Sequence, residues 1–100
     1  MPAQAPAVVD PLAQRDLEML GELLRTQRKS MRIAAESVAR AANMSRQTLN
    51  RIERGEPSVT MGAYLSAIDA VGLQLELRDP QARPAKADIA RLPERVRLAD

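Results

Sequence analysis

Residues 45 to 54 read SRQTLNRIER, and Arg46, Gln47, Thr48, Asn50, Arg51 and Arg54 in that run all carry hydrogen-bond donors. A guanidinium is a planar fork that matches two adjacent acceptors, and a carboxamide offers a donor beside an acceptor. These are the groups that pair with guanine and adenine edges in the major groove of a nucleic-acid duplex. Residues just after the start of a helix approach the bases most closely in that geometry, so Arg46, Gln47 and Asn50 are the candidate base readers. Arg51 and Arg54 suit backbone phosphates. The Ser45 hydroxyl and the free amides behind it suit another phosphate, because a helix start carries partial positive charge. A solvated helix face carries the same residue types, so the surrounding elements must decide between the two readings.

Those elements read as helices. Leu17, Leu20, Leu24 and Arg28 form one stripe of a first helix over 12–29, opposite Glu18, Glu22, Arg25 and Lys29, with Asp10-Pro11 as N-cap and first helical residue. Ala35, Val38, Ala39 and Ala42 mark a short second helix ending at Asn43, a residue that tolerates left-handed backbone. Ser45 caps a third helix over 46–54, with Leu49 and Ile52 facing inward and Gly55 closing it. Thr60 caps a fourth, in which Met61, Tyr64, Leu65, Ile68 and Val71 repeat at helical spacing up to Gly72. Two short helices joined by a tight turn, the second exposing polar side chains, form the arrangement that enters a major groove. The small Ala39 allows those two helices to cross closely.

Composition excludes most alternatives. The 100 residues fit one domain with a modest core, and 45% are hydrophobic with Tyr64 the single aromatic, a mixture that favours helix. With no Cys and no His, thiolate and imidazole metal sites, disulfides and Cys or His catalysis are unavailable, and no cofactor or metal is expected. Glu36, Glu53, Asp69 and Glu76 supply no convergent carboxylate pair, so no enzymatic activity is expected. No signal peptide or membrane span is evident, which implies a cytoplasmic, nucleoid-associated protein with no membrane partner. The net charge of +2 favours a nucleic-acid partner only weakly; the position of the arginines carries more weight.

The period changes after Gly72. LQLEL at 73–77 alternates apolar and polar residues, the pattern of a half-buried strand. A lone strand leaves its backbone groups unpaired, so pairing with a twin across a two-fold axis is expected, with Leu73, Leu75 and Leu77 as dimerisation residues; a solvent-exposed extension is the alternative. Residues 1–11 read as a flexible arm, 12–78 as the folded domain and 79–100, rich in Pro and charge, as a tail.

The run from Leu20 to Leu77, and within it LGELLRTQR, VARAANMSRQTLNRIERG and a fourth helix ending in VG, resembles the Xre or Cro-type helix-turn-helix family of phage repressors and bacterial regulators. The resemblance implies an all-α, lambda-repressor-like bundle of four or five helices with the third helix in the major groove, and an internal brace between Arg28 and Glu53. Family members usually carry Thr-Gln where this chain has Ala34-Ala35, and Gly where it has Arg32 and Asn43. The missing Gln removes a phosphate contact, and Ala34 leaves the second helix without its usual cap, so that helix is expected to begin earlier, capped by Ser30. The ending GLQLELRDP resembles HipB-like antitoxins, which bind operator DNA and a toxin kinase. Two functions follow. One is a dimeric, sequence-specific repressor or autoregulator on double-stranded operator DNA, for which the resemblance implies a further role as the antitoxin of a HipBA-like pair with a HipA-like toxin kinase as partner; the other is an adapter or antitoxin whose main role is binding a protein.

Overall fold

Four helices follow one another in the computed structural model, which describes residues 9–79: α1 (Pro11–Ser30), α2 (Ala35–Ala41), α3 (Arg46–Glu53) and α4 (Met61–Ala70). The arm at 1–11 and the tail at 79–100 therefore lie outside the described residues, except for 9–11 and 79. Helix starts follow local chemistry. Pro11 is the first residue of α1, where its missing N–H costs nothing. Ser45 Oγ accepts from the Thr48 amide at 3.0 Å, and Thr60 Oγ1 accepts from the Ala63 amide at 3.1 Å.

All four helices end in the same way. The amide of the residue after each C-cap reaches back three residues, and the next amide reaches back five, closing paired bonds on the last carbonyls. At α1 these are Arg32 to Lys29 (3.0 Å) and Ile33 to Arg28 (3.1 Å); at α2, Asn43 to Arg40 (3.0 Å) and Met44 to Ala39 (2.9 Å). At α3 they are Gly55 to Ile52 (2.9 Å) and Glu56 to Arg51 (3.0 Å); at α4, Gly72 to Asp69 and Leu73 to Ile68, both 3.0 Å. The pivot residue must take left-handed backbone, and Arg32, Asn43, Gly55 and Gly72 have φ of 58°, 59°, 75° and 78°.

This corrects the expected start of the second helix. Ser30 belongs to α1, where its hydroxyl donates to the Gln27 carbonyl at 2.9 Å, and the left-handed Arg32 prevents a helix from running through the turn. The second helix starts after Ala34, whose side chain makes no capping bond.

Leu24, Val38, Ala39, Leu49, Ile52, Tyr64, Ala67, Ile68 and Val71 make one core, with Leu17, Leu20, Ile33 and Met44 packed against it. The fourth-helix stripe divides: Tyr64, Ile68 and Val71 are buried, whereas Met61 and Leu65 are 65% and 41% exposed. Close approach also depends on Gly21. A Cβ there would lie 2.7 Å from the Glu53 carbonyl oxygen, so α1 and α3 meet backbone to backbone, a contact beyond the Ala39 crossing expected from sequence.

Three polar side chains reinforce these contacts. Gln14 Nε2 donates to the Gly55 carbonyl at 3.1 Å, Gln27 Nε2 to the Val71 carbonyl at 3.1 Å, and the Tyr64 hydroxyl to the Glu56 carbonyl at 2.8 Å. Residues 73–79 form no strand with any described segment, and a strand that pairs only with a second copy has no partner within one chain. No helix among the described residues is long and apolar enough to cross a membrane.

Candidate nucleic-acid interface

Burial of Leu49 (1% exposed) and Ile52 (0%) fixes the rotation of α3 about its axis. With 3.6 residues per turn, Arg46, Asn50 and Glu53 then share one flank, Gln47 and Arg54 point away from the core, and Arg51 lies on the far flank. Arg46, Gln47, Asn50, Arg51 and Arg54 are all exposed, so the structure brings the sequence candidates together on one outward face.

Three sequence candidates, Ser45, Thr48 and Arg54, are engaged locally. Ser45 Oγ, already accepting from the Thr48 amide, donates to Thr48 Oγ1 at 3.0 Å, which ties the two hydroxyls together at the start of α3. Thr48 is half-buried, between the exposed Gln47 and the buried Leu49. Arg54 Nη2 meets Glu56 Oε2 at 2.9 Å, an exposed pair of small energetic weight that a phosphate can displace.

Beneath the face, Arg28 holds Glu53 through two bonds, Nε to Oε2 at 2.7 Å and Nη2 to Oε1 at 3.1 Å. Its Nη1 also donates to the Ile33 carbonyl at 3.3 Å. Hydrogen bonding to Glu53 is the main reason that the guanidinium holds its proton more firmly than usual, against a smaller opposing effect of burial. Both ends of this pair are mostly buried, so it positions the end of α3 and offers little to a ligand.

Sequence reasoning passed over Arg40. It lines an open concavity of about 510 Å³ beside the start of α3, together with Glu36, Asn43, Met44, Ser45 and Arg46. Its place in the last turn of α2, next to the buried Val38 and Ala39 but itself exposed, was the available signal.

A model of the helix-turn-helix domain matches residues 19–81, nearly two-thirds of the chain. The chain belongs to the helix-turn-helix domain family. With that membership comes the coarse function of a DNA-binding transcriptional regulator. Solved structures with the same fold include the restriction-modification controller protein C.AhdI from Aeromonas hydrophila, at 25% identity and TM-score 0.54, covering 60% of this chain and 91% of that one. The clp gene regulator ClgR from C. glutamicum is 29% identical with TM-score 0.53, covering 65% and 80%. A chain of the HipA-HipB-O2-O3 complex shares the fold at 13% identity and TM-score 0.60, covering 75% and 97%. No curated protein matches this helix-turn-helix chain.

Proposed function

We propose that the protein is a dimeric, sequence-specific repressor of double-stranded DNA that regulates its own operator. The observation that carries this reading is the outward face of α3: five donor side chains stand exposed over a capped helix whose inward pair is fully buried. Arg46, Gln47 and Asn50 read base edges. Arg51 and Arg54 contact phosphates, Ser45 and Thr48 flank them at the start of the helix, and the Arg28–Glu53 brace holds the helix end.

An apolar surface supports the dimer. A groove of about 330 Å³ between α1 and α4 is lined by Leu17, Leu20, Tyr64, Leu65, Ile68 and Leu75 among others. Leu23, Met61, Leu73, Leu75 and Leu77 stand exposed, the last at 90%. A monomer leaves this area in water; a second copy covers it while pairing residues 73–77. Two copies of α3 then lie about 34–36 Å apart, one turn of B-DNA.

Selection of bound duplexes from a random pool at fixed salt tests the reading, with the mass in solution measured by light scattering. Two-fold-related half-sites and a dimer mass are expected. An unenriched pool, or a single half-site bound by a monomer, would overturn it.

An antitoxin role within this reading draws on the GLQLEL ending after α4 and its exposed leucines, which a toxin kinase of the HipA kind would meet beside the dimer ribbon. The shared fold with a chain of a complex that contains HipA and HipB is compatible with it. Co-purification of a stoichiometric kinase with the native protein is the expected result. Recovery of DNA with no protein partner would leave a stand-alone regulator.

A further inference from the structure

Arg32 occupies a backbone conformation that an arginine adopts only against steric resistance. It is the pivot of the turn closing α1, with φ at 58°, and the equivalent pivots of the other helices are Asn43, Gly55 and Gly72. Asparagine and glycine enter left-handed backbone readily, whereas a long side chain on Cβ does not. Nothing inside the fold compensates for the choice: the side chain is exposed, and its guanidinium makes no hydrogen bond or ion pair among the described residues. An unfavourable conformation kept without internal benefit points to a role outside the fold.

Its position is set by Arg28. That guanidinium donates to the Ile33 carbonyl and to both oxygens of Glu53, so the backbone immediately after Arg32 lies one guanidinium away from the end of α3. Glu53 shares a flank with Arg46 and Asn50, seven and three residues before it. The turn that carries Arg32 therefore lies beside the Glu53 end of that flank. Arg28 already occupies the Glu53 carboxylate, which is thus unavailable to Arg32 and offset as a source of repulsion toward an approaching anion.

We propose that Arg32 contacts a backbone phosphate of the bound duplex on the Arg46 flank of α3. The partner chemistry is a phosphodiester. The arginine supplies a contact on a side of the helix where the sequence has Ala34 and Ala35 and no other polar group in the turn. The inference rests on the DNA-binding reading above, and it adds a residue to the interface that the donor pattern of α3 does not include.

The test uses the whole chain and a mixed-sequence duplex of about 30 base pairs, since a phosphate contact is independent of sequence. Arg32→Gly relieves the backbone and is expected to melt no lower than wild type. It should nevertheless bind several-fold more weakly at low salt, and the slope of log affinity against log salt should fall by about 0.9, one counterion released fewer. Arg32→Gln keeps the Cβ, drops the charge and should reproduce the loss, whereas Arg32→Lys should retain the wild-type slope. If wild type binds and both uncharged variants keep its slope, the Arg32 role is overturned while the DNA reading stands. If wild type itself leaves the duplex unbound, the DNA reading fails and takes this inference with it.

Discussion

Arg28 and Glu53, twenty-five residues apart in sequence, face each other through two parallel hydrogen bonds of 2.7 and 3.1 Å with little water around them. Removing one partner strands the other charge where it is mostly shielded from solvent. Glu53→Ala is expected to lower stability by about 3 kcal/mol, because an unpaired charge remains under α3. Urea unfolding followed by circular dichroism measures it, and a change below roughly 1 kcal/mol would show that the pair is merely a surface contact.

Gly21 has no room to grow. An added methyl would press against the Ile52 and Glu53 carbonyl oxygens, and neither can move without displacing α3. Gly21→Ala should therefore cost about 1–3 kcal/mol even though alanine is the better helix former. The same unfolding experiment reads it, and a stabilised variant would contradict the close approach of α1 and α3.

On the outward face the expectation is the reverse, with folding untouched and recognition altered. Arg46→Ala and Asn50→Ala should keep the wild-type melting temperature and relax discrimination by roughly 1–3 kcal/mol per lost base contact. Competition binding between selected and mutated duplexes checks this. Unchanged discrimination would remove these two residues from the set of readers.

Tyr64 gives a pH signature. Burial first, and then the nearby charge of Glu56, push its phenol from 10.0 up to about 12. The native state then holds a proton that the unfolded chain releases earlier, so the contribution is fully present below about pH 10 and is lost as pH rises through about 12. Stability measured across that window should decline, and Tyr64→Phe should flatten the decline while losing about 1 kcal/mol at neutral pH for the missing bond to the Glu56 carbonyl. Identical alkaline profiles for the two proteins would refute the assignment.

Much of this architecture is legible in the residues because the responsible interactions are local. Ser45 and Thr60 cap helices with their own hydroxyls, and Leu49 with Ile52 orients α3 by spacing alone. Features that depend on distant chain segments are not legible in that way. Gly21 looks like an ordinary glycine until α3 is placed against it, and Gln14 and Gln27 look like solvated polar residues until Gly55 and Val71 present their carbonyls. Met61 and Leu65 share a period with Tyr64 and Ile68, and periodicity cannot separate residues that fill a core from residues that face outward beside a groove. The expectation of an earlier second helix failed because an arginine accepted the backbone normally left to glycine.

The two glutamines of α1 have a dynamic consequence. One reaches the Gly55 carbonyl just past the end of α3, the other the Val71 carbonyl just past the end of α4. A single long rod thus latches two shorter segments at their trailing ends, and neither can fray without breaking a bond to the same support. Amide exchange at those two ends should accelerate in step when the rod is weakened, even by a change near only one of them.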